Sequence, residues 1–354
     1  MAKKNIGGGV IGYGGMGGFH AKRMIDLDGL EVIGIYDINP ERHEIAEKRG
    51  VPQFNSREEL LADERVELVV VATPNDFHEE IAIAALNAGK HVISEKPVTM
   101  TSESLERIIA AAKKNNKIFT VHQNRRFDSD YLIIRRIMEE NTIGNIYRFE
   151  SRVHGSRGIP SGWRGEKEHG GGMLLDWGVH LLDQMLQIMD GIRLETVYAS
   201  TTYITNAECD DGFTATFRFE NGVEWLVEVS TNNFISLPRW YVLGENGSAV
   251  IENWDIEGKV VKVMDFEKYD VAPIVAGAGI TKTMAPRTDD TIKEFDLPRD
   301  GIETGWDSYY HNIIAAINGE EEILVTHDQQ RRLIKLIEAI FESAEKNELI
   351  HFDK

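Results

Sequence analysis

The chain carries Gly12-Tyr13-Gly14-Gly15-Met16-Gly17, a G-x-G-x-x-G motif placed where a short apolar run turns into a helical pattern. Gly12 permits a tight turn, Gly14 lets the backbone approach a diphosphate, and Gly17 lets the helix pack close to the strand. The diphosphate then lies at a helix N-terminus. Asp37 ends the next apolar run, about 20 residues later, where an acidic residue accepts hydrogen bonds from the adenosine ribose. We therefore predict a dinucleotide site at Gly12, Gly14, Gly15, Met16, Gly17 and Asp37.

The composition is that of an ordinary globular protein, with 354 residues, 42% hydrophobic and 27% charged. This length suits two domains. No apolar run approaches the ~20 residues that cross a bilayer. Met1 to Lys4 leave no room for a secretion signal before the glycine motif, and the single cysteine, Cys209, suits a reducing compartment. We expect a cytoplasmic protein with no membrane partner.

The net charge of -19 argues against a nucleic-acid partner, because it repels polyphosphates. The basic residues are scattered, and the chain has no heptads or repeats. We expect a small-molecule substrate that is not polyanionic.

Residues 1–122 alternate apolar runs with helical patterns, which predicts βαβ units, a parallel sheet and a Rossmann-type dinucleotide-binding domain. The expected strands are 5–11, 32–36, 68–72, 91–94 and 118–121, and the expected helices include 79–88 and 102–115. Gly7, Gly8 and Gly9 weaken the first strand and indicate either close backbone packing or a locally soft sheet.

Residues 123–354 predict an α+β domain for substrate binding and oligomerisation, built on a mostly antiparallel open sheet. Runs such as 213–219, 223–230, 239–243 and 249–252 lie between turn dipeptides that include Asn221-Gly222 and Asn246-Gly247. Alternating Trp225, Val227 and Val229 indicate a free sheet face that joins subunits into a homodimer or homotetramer. The segment 272–287 has no assignable role.

Three separated segments bear side chains suited to catalysis. The first, 73–78, is T-P-N-D-F-H and follows an expected strand, where doubly wound sheets bind ligands. The second is Glu95-Lys96-Pro97, also at a strand end. In the third, a triple glycine precedes D-x-x-x-H, so that Asp176 and His180 are expected on one helix face.

Oxidation of a secondary alcohol needs a base for the hydroxyl proton while the nicotinamide takes the hydride. His180 has the ordinary pKa for that base, Asp176 would orient its ring, and Lys96 would stabilise the developing alkoxide. Asn124 is the further candidate for a substrate contact. Arg125 and Arg126 are expected to divide, one toward an acidic neighbour and one toward the cleft.

Simpler interpretations remain open for the same residues. Asp176 and His180 also fit a surface ion pair or, with Asp183, a metal site, although neither explains the glycine motif, and we expect no metal. Lys96 alone fits a solvated surface charge. Trp163 and Trp177 fit either a core or a sugar-stacking role. Structural roles are favoured for His122 and His154.

Together these motifs resemble the Gfo/Idh/MocA oxidoreductases, the family of glucose-fructose oxidoreductase and inositol dehydrogenase. The resemblance spans nearly the whole chain, and E-K-P with D-x-x-x-H is its most specific part. It implies catalytic roles for Lys96, Asp176 and His180, which would also contact substrate. The segment 124–130 is similar to that of scyllo-inositol dehydrogenases. The implied cofactor contacts are Thr73, Pro74, Asn75, His78, Glu95, Lys96, Trp163 and Arg164.

The expected activity is NAD-dependent oxidation of a secondary ring hydroxyl of a cyclitol, sugar or glycoside, with His180 as general base. NAD is favoured over NADP because Asp37 repels a 2'-phosphate, although Arg42 is near enough in sequence to pair with one. Two alternatives remain: a redox-neutral sugar-modifying enzyme that retains NAD through transient oxidation and elimination, and a non-catalytic regulator that senses NAD or sugar.

Overall fold

A parallel sheet of five strands forms the first part of the fold. The computed structural model describes residues 5–267, 272–302 and 304–352. The first four residues, which bear on the expectation about export, lie outside this range. The strand order is β2-β1-β3-β4-β5. The strands are β1 (Ile6–Ile11), β2 (Leu30–Tyr36), β3 (Leu68–Val71), β4 (His91–Ser94) and β5 (Phe119–Val121).

Five α-helices connect the strands, and the two expected from apolar periodicity, at 79–88 and 102–115, are among them. The five are α1 (Gly15–Asp26), α2 (Pro40–Lys48), α3 (Arg57–Ala62), α4 (His78–Asn87) and α5 (Ser102–Asn115). The order of the sheet reverses between β1 and β3, and in such sheets the ligand crevice lies at the carboxyl ends of the strands at this point. The predicted Rossmann-type sheet is confirmed.

The glycines of β1 serve close packing. All six residues of the strand are buried. A Cβ at Gly7 would lie 2.0 Å from the carbonyl oxygen of Arg65, and one at Gly8 would lie 2.4 Å from the sulfur of Met24. Of the two sequence interpretations, close backbone packing is therefore the one the structure supports.

The second sheet is mixed and larger. Its nine strands run in the order β15-β12-β11-β10-β6-β9-β8-β7-β16, with β6 and β9 parallel and the other neighbours antiparallel. The segment 272–287 contains a separate two-stranded hairpin, β13 (Ile274–Ala276) with β14 (Gly279–Thr281). The strands of the large sheet are β6 (Ile146–His154), β7 (Leu194–Thr202), β8 (Gly212–Phe219), β9 (Glu224–Ser230), β10 (Trp240–Gly244), β11 (Gly247–Ile251), β12 (Gly258–Val263), β15 (Ile292–Phe295) and β16 (Ile350–His351).

The remaining helices are α6 (Ser129–Glu139), α7 (Val179–Ile188), α8 (Trp306–Ile317) and α9 (His327–Lys346). A π-helical turn, Leu174–Gly178, leads directly into α7. Within the described ranges, none of the helices combines the length and the apolar character that a membrane span requires.

The expectation that Trp225, Val227 and Val229 form a free sheet face for subunit contact is wrong. Trp225, Val227 and Val229 are each at most 2% exposed and belong to the hydrophobic core. Because side chains alternate along a strand, the opposite face of β9 presents Leu226 and Glu228. The apolar alternation correctly located a buried face, and the other face is the one that remains available for contact.

Candidate active site

The glycine motif builds a turn that leaves room for a diphosphate. Gly12 has φ +89°, and a Cβ there would lie 2.5 Å from the carbonyl oxygen of Ala72. A Cβ at Gly17 would lie 1.9 Å from the carbonyl oxygen of Gly12, which explains the close contact of α1 with β1. Gly14 and Gly15 face open space. Gly14 caps α1 without a side-chain hydrogen bond, so the helix N-terminus can receive an anion.

Asp37 joins this turn from the end of β2. Its Oδ2 accepts a hydrogen bond from the backbone N–H of Tyr13 at 2.6 Å, and its Oδ1 accepts one from Asn39 at 2.8 Å. The carboxylate is thereby fixed beside the glycine motif. A negative charge at this position repels the 2'-phosphate of NADP.

The T-P-N-D-F-H segment forms a 3-10 turn, Asn75–Phe77, between Pro74 and α4. The buried Asn75 donates its side-chain amide to the carbonyl oxygen of Gly170 at 2.8 Å. The ring nitrogens of His78 lie 2.9 and 3.0 Å from the carbonyl oxygens of Pro97 and Thr73. His78 therefore links two loops through its ring nitrogens. The Oγ1 of Thr73 is buried without a hydrogen-bond partner among the described residues. That unpartnered hydroxyl, with the open glycine turn, fits a bound dinucleotide.

Lys96 and Asp176 meet although 80 positions separate them. Lys96 follows β4, and its Nζ donates to the backbone oxygen of Asp176 at 2.8 Å and lies 3.3 Å from the carboxylate Oδ1. The Nε of Arg164 lies 3.4 Å from the same Oδ1. Burial raises the pKa of Asp176, but Lys96 and Arg164 outweigh it, so the pKa is lowered and the group is ionised.

The expected pairing of Asp176 with His180 takes a different form. The two residues do not share one regular α-helix, because Asp176 lies in the π-helical turn and His180 in α7. Among the described residues, the Asp176 carboxylate accepts its hydrogen bonds from Lys96 and Arg164. Such π turns are frequent at functional sites. The carboxylate thus orients the lysine, and the histidine stands beside this pair.

His180 is buried and neutral. Burial, with Lys96 and Arg125 nearby, holds the pKa of its imidazole well below the ordinary 6.5. The Nδ1 atom is buried without a hydrogen-bond partner among the described residues. A neutral imidazole can accept a proton, which is the state that a general base requires.

Glu95 is also buried, between two histidines. Its Oε1 lies 2.9 Å from Nε2 of His20 and 2.8 Å from Nδ1 of His122. Burial raises the pKa of Glu95, but the two histidines outweigh it and hold the pKa well below its ordinary value. His122 is only partly satisfied, since its Nε2 lacks a partner among the described residues. The hydroxyl of Tyr310 lies 2.8 Å from Nδ1 of His20.

Arg125 and Arg126 both contact acidic side chains, so the structure does not separate them into one acid-bound and one cleft-facing arginine as expected. Arg126 forms a bidentate ion pair with Asp183 at 2.6 and 2.7 Å, so both oxygens of that carboxylate are engaged. Arg125 donates to Asp128 at 2.8 Å, and its guanidinium lies over the rings of Trp177 and Trp254 at 4.3 and 5.3 Å.

The other candidate residues lie around the same region. Trp163 and Arg164 lie in a 3-10 turn, and the guanidinium stacks 4.5 Å over the indole. Trp177 lies beside His180, with ring centroids 6.0 Å apart. Asn124 begins the 3-10 turn that carries both arginines.

Sequence reasoning did not single out His20, Tyr310 or Trp254. His20 had a usable signal, because it lies three positions after Gly17 on the helix face that must pack against the sheet. A histidine on such a face needs a polar partner. Trp254 follows β11 in a loop, and nothing in its local sequence places it near Arg125.

Two family models match the chain over most of its length. Residues 6–123 match the NAD-binding Rossmann fold of an oxidoreductase family, and residues 131–250 match the Gfo/Idh/MocA C-terminal domain. A crystal structure of an NAD-binding protein from Listeria innocua superposes with a TM-score of 0.95 and is 47% identical, covering 99% of this chain and 100% of that one.

Relatives with named activities are more distant. The scyllo-inositol 2-dehydrogenase (NADP(+)) IolW of Bacillus subtilis is 27% identical over 350 residues, 97% of this chain and 94% of that protein. The myo-inositol 2-dehydrogenase of Thermotoga maritima is 29% identical over 255 residues, 69% of this chain and 75% of that protein. The match of both domain models, with the glycine turn and the Lys96–Asp176 pair, shows that the chain is an NAD-binding oxidoreductase of the Gfo/Idh/MocA family.

Proposed function

We propose that this protein is an NAD-dependent dehydrogenase that oxidises a secondary ring hydroxyl of a cyclitol, a sugar or a glycoside. The observation that carries the proposal is the contact of Lys96 with Asp176 beside a neutral His180. It brings a cation, a carboxylate and a proton acceptor to one place. The names of the two inositol dehydrogenases support the substrate class.

Bound NAD supplies the hydride acceptor, and the chain manages the proton and the charge. Neutral His180 takes the hydroxyl proton. The Lys96 ammonium stabilises the negative charge that develops on the substrate oxygen, and Asp176 keeps that ammonium in place. The products are a ketone, NADH and a protonated His180, which releases its proton to solvent. NAD is the cofactor we propose over NADP, because Asp37 is fixed beside the glycine turn.

The test measures NADH absorbance with a panel of inositols, aldopyranoses, sugar acids and glycosides. We expect a substrate among the inositols, the aldopyranoses or the glycosides. In the His180→Ala variant, kcat should fall by about 10²- to 10⁴-fold while NAD binding is retained, because the base is lost and the cofactor turn is intact. His311→Ala, at an exposed position of α8, is the matched control and should behave as wild type.

Two outcomes would contradict the proposal. An undiminished rate in His180→Ala would exclude this histidine as the base. A wild-type protein that retains NAD tightly but forms no net NADH with any compound would point instead to redox-neutral sugar modification.

A further inference from the structure

Four buried side chains form a continuous polar network behind Lys96. They are His20 on α1, Glu95 after β4, His122 after β5 and Tyr310 on α8. Their exposed fractions lie between 0% and 6%. Tyr310 contacts His20, His20 and His122 both contact Glu95, and the three distances are 2.8, 2.9 and 2.8 Å.

The contacts specify where the protons lie. Glu95 is ionised, so its Oε1 accepts from both rings, and His20 must carry a proton on Nε2 and His122 on Nδ1. Burial lowers the pKa of His20, which keeps that ring neutral. The Nδ1 of His20 then has a lone pair, and the hydroxyl of Tyr310 donates to it. The ionised Glu95 and the Tyr310 hydroxyl therefore both require the same tautomer of His20.

The network continues to the catalytic lysine. The second carboxylate oxygen of Glu95 accepts the backbone N–H of Lys96 at 3.2 Å, and the Lys96 side chain reaches Asp176. His20 belongs to the helix whose first residues form the dinucleotide turn. The cofactor helix α1, the lysine and helix α8 are thus joined through one carboxylate.

We propose that His20 and Tyr310 are positioning residues for the dehydrogenase reaction, which act through Glu95 to hold Lys96 in contact with Asp176. The inference rests on the proposed function for its catalytic meaning. Without the Tyr310 hydroxyl, the buried Nδ1 of His20 loses its hydrogen-bond donor, and the ring is held at Nε2 alone, so it is free to tilt away from its present contact with Glu95. The carboxylate would turn, and the peptide of Lys96 would turn with it.

Other charged and titratable groups surround the network on both sides. Tyr309, Arg23 and Asp307 lie toward Tyr310, and Lys96 and His180 lie toward Glu95 and His122. Tyr309 offers a matched control, because it is buried next to Tyr310 and its ring packs against His122 with centroids 4.9 Å apart, but its hydroxyl has no hydrogen-bond partner among the described residues. Both Tyr310→Phe and Tyr309→Phe remove a phenolic hydroxyl. Only Tyr310→Phe removes one that is hydrogen-bonded within the network.

The test compares these two variants by kinetics and by nitrogen-15 NMR of labelled histidines. In wild type, His20 should be the Nε2–H tautomer. In Tyr310→Phe we expect His20 to remain the Nε2–H tautomer, because Glu95 still accepts from it, and the nitrogen-15 shift of its Nδ1 to change because the hydrogen bond there is lost. We expect kcat to be about tenfold lower, the effect of losing about one buried hydrogen bond, with KM for NAD changed less than about twofold. The acid limb of the kcat pH profile should also move, because His20 becomes easier to protonate. Tyr309→Phe should retain the wild-type tautomer, kcat and pH profile.

A further readout does not depend on turnover. The rate at which Lys96 is acylated by an amine reagent, followed by peptide mass spectrometry, should rise in Tyr310→Phe and not in Tyr309→Phe. This measurement distinguishes failure of the proposed dehydrogenase function from failure of the positioning role. If wild type shows no dehydrogenase activity, the proposed function is contradicted, and the acylation rates still decide whether Tyr310 positions Lys96.

Three results would overturn the inference. The first is equal acylation of Lys96 in wild type and Tyr310→Phe, and the second is an Nδ1–H tautomer of His20 in wild type. The third is stoichiometric zinc in the purified protein, because His20, Glu95 and His122 bring three possible metal ligands within 4.8 Å of one another and a metal would replace the hydrogen bonds.

Discussion

At the scale of single residues, burial and nearby charge together keep His180 neutral. Burial lowers the pKa of the imidazole most, and two nearby cations, Lys96 and Arg125, lower it further. The ring therefore stays a proton acceptor at a pH below the ordinary 6.5 of histidine. Arg125 is fixed near it by Asp128 and by the rings of Trp177 and Trp254.

Replacement of Arg125 by glutamine tests this control. His180 loses one repelling cation, and Asp128 loses its partner, so both changes raise the pKa of His180. We expect the acid limb of kcat/KM to move to higher pH, because the base is now lost earlier as the pH falls. The measurement is a pH–rate profile with the identified substrate. Arg135→Gln, which breaks an exposed ion pair with Glu139, is the control, and coincident profiles for the two variants would contradict the role of Arg125.

Residue types could be predicted from the sequence here, whereas their pairing could not. Lys96, Asp176 and His180 are apparent from E-K-P and D-x-x-x-H. That Asp176 contacts Lys96 depends on a π-helical turn, which has no periodicity of its own in the sequence. That Glu95 lies between His20 and His122 depends on the arrangement of three elements in space.

At the scale of elements, the π-helical turn depends on Asp210. Its Oδ2 accepts the backbone N–H of Leu174 at 2.7 Å, and its backbone oxygen accepts that of Met173 at 2.9 Å. The side chain is buried, which raises its pKa to about 7, although the hydrogen bond from Leu174 acts in the opposite direction. The segment that presents Asp176 is therefore anchored by a group that titrates near neutrality.

The raised pKa predicts how stability changes with pH. Protonated Asp210 is favoured in the folded state, so its contribution is fully present below the unfolded pKa of 3.8 and is lost as the pH rises toward about 7. The shift corresponds to at most about 4 kcal/mol. In Asp210→Asn the group no longer titrates, and we expect the free energy of unfolding to change less between pH 4 and 7, measured by urea denaturation.

Glu208→Gln, an exposed neighbour, is the control for a general effect of net charge. If both variants and wild type share one dependence of unfolding free energy on pH, Asp210 does not titrate as described.

The same elements show where sequence patterns are sufficient. The helices α4 and α5 lie within a few residues of the expected 79–88 and 102–115, because their apolar positions repeat at helical spacing. The parallel contact of β6 with β9 was not predicted, since both strands look like parts of ordinary hairpins in the sequence.

At the scale of the whole molecule, the outer face of the large sheet is the remaining candidate for subunit contact. It bears a ladder of ion pairs in which Arg152 joins Glu150 to Glu228, and the half-exposed Tyr198 and Tyr241 flank it. The buried apolar face, which the alternation of Trp225, Val227 and Val229 had indicated, is already used within one chain.

We therefore predict a homo-oligomer that forms through this outer face. Leu226→Glu places an unpaired carboxylate among Glu150 and Glu228, and it should reduce the mass measured by sedimentation toward that of one chain. Ile25→Glu, at an exposed position of α1, should leave the mass unchanged. A wild-type protein that sediments as a single chain would remove the prediction.

The contact between Tyr310 and His20 spans 290 positions, and it has a consequence for biosynthesis. At about 5–20 residues per second, roughly 15 to 60 s pass between the synthesis of the two residues. An N-terminal domain that folds on the ribosome holds a buried histidine whose hydroxyl partner does not yet exist. The growing chain can therefore form its cofactor turn early, but Lys96 reaches its final position only after residue 310 has been synthesised.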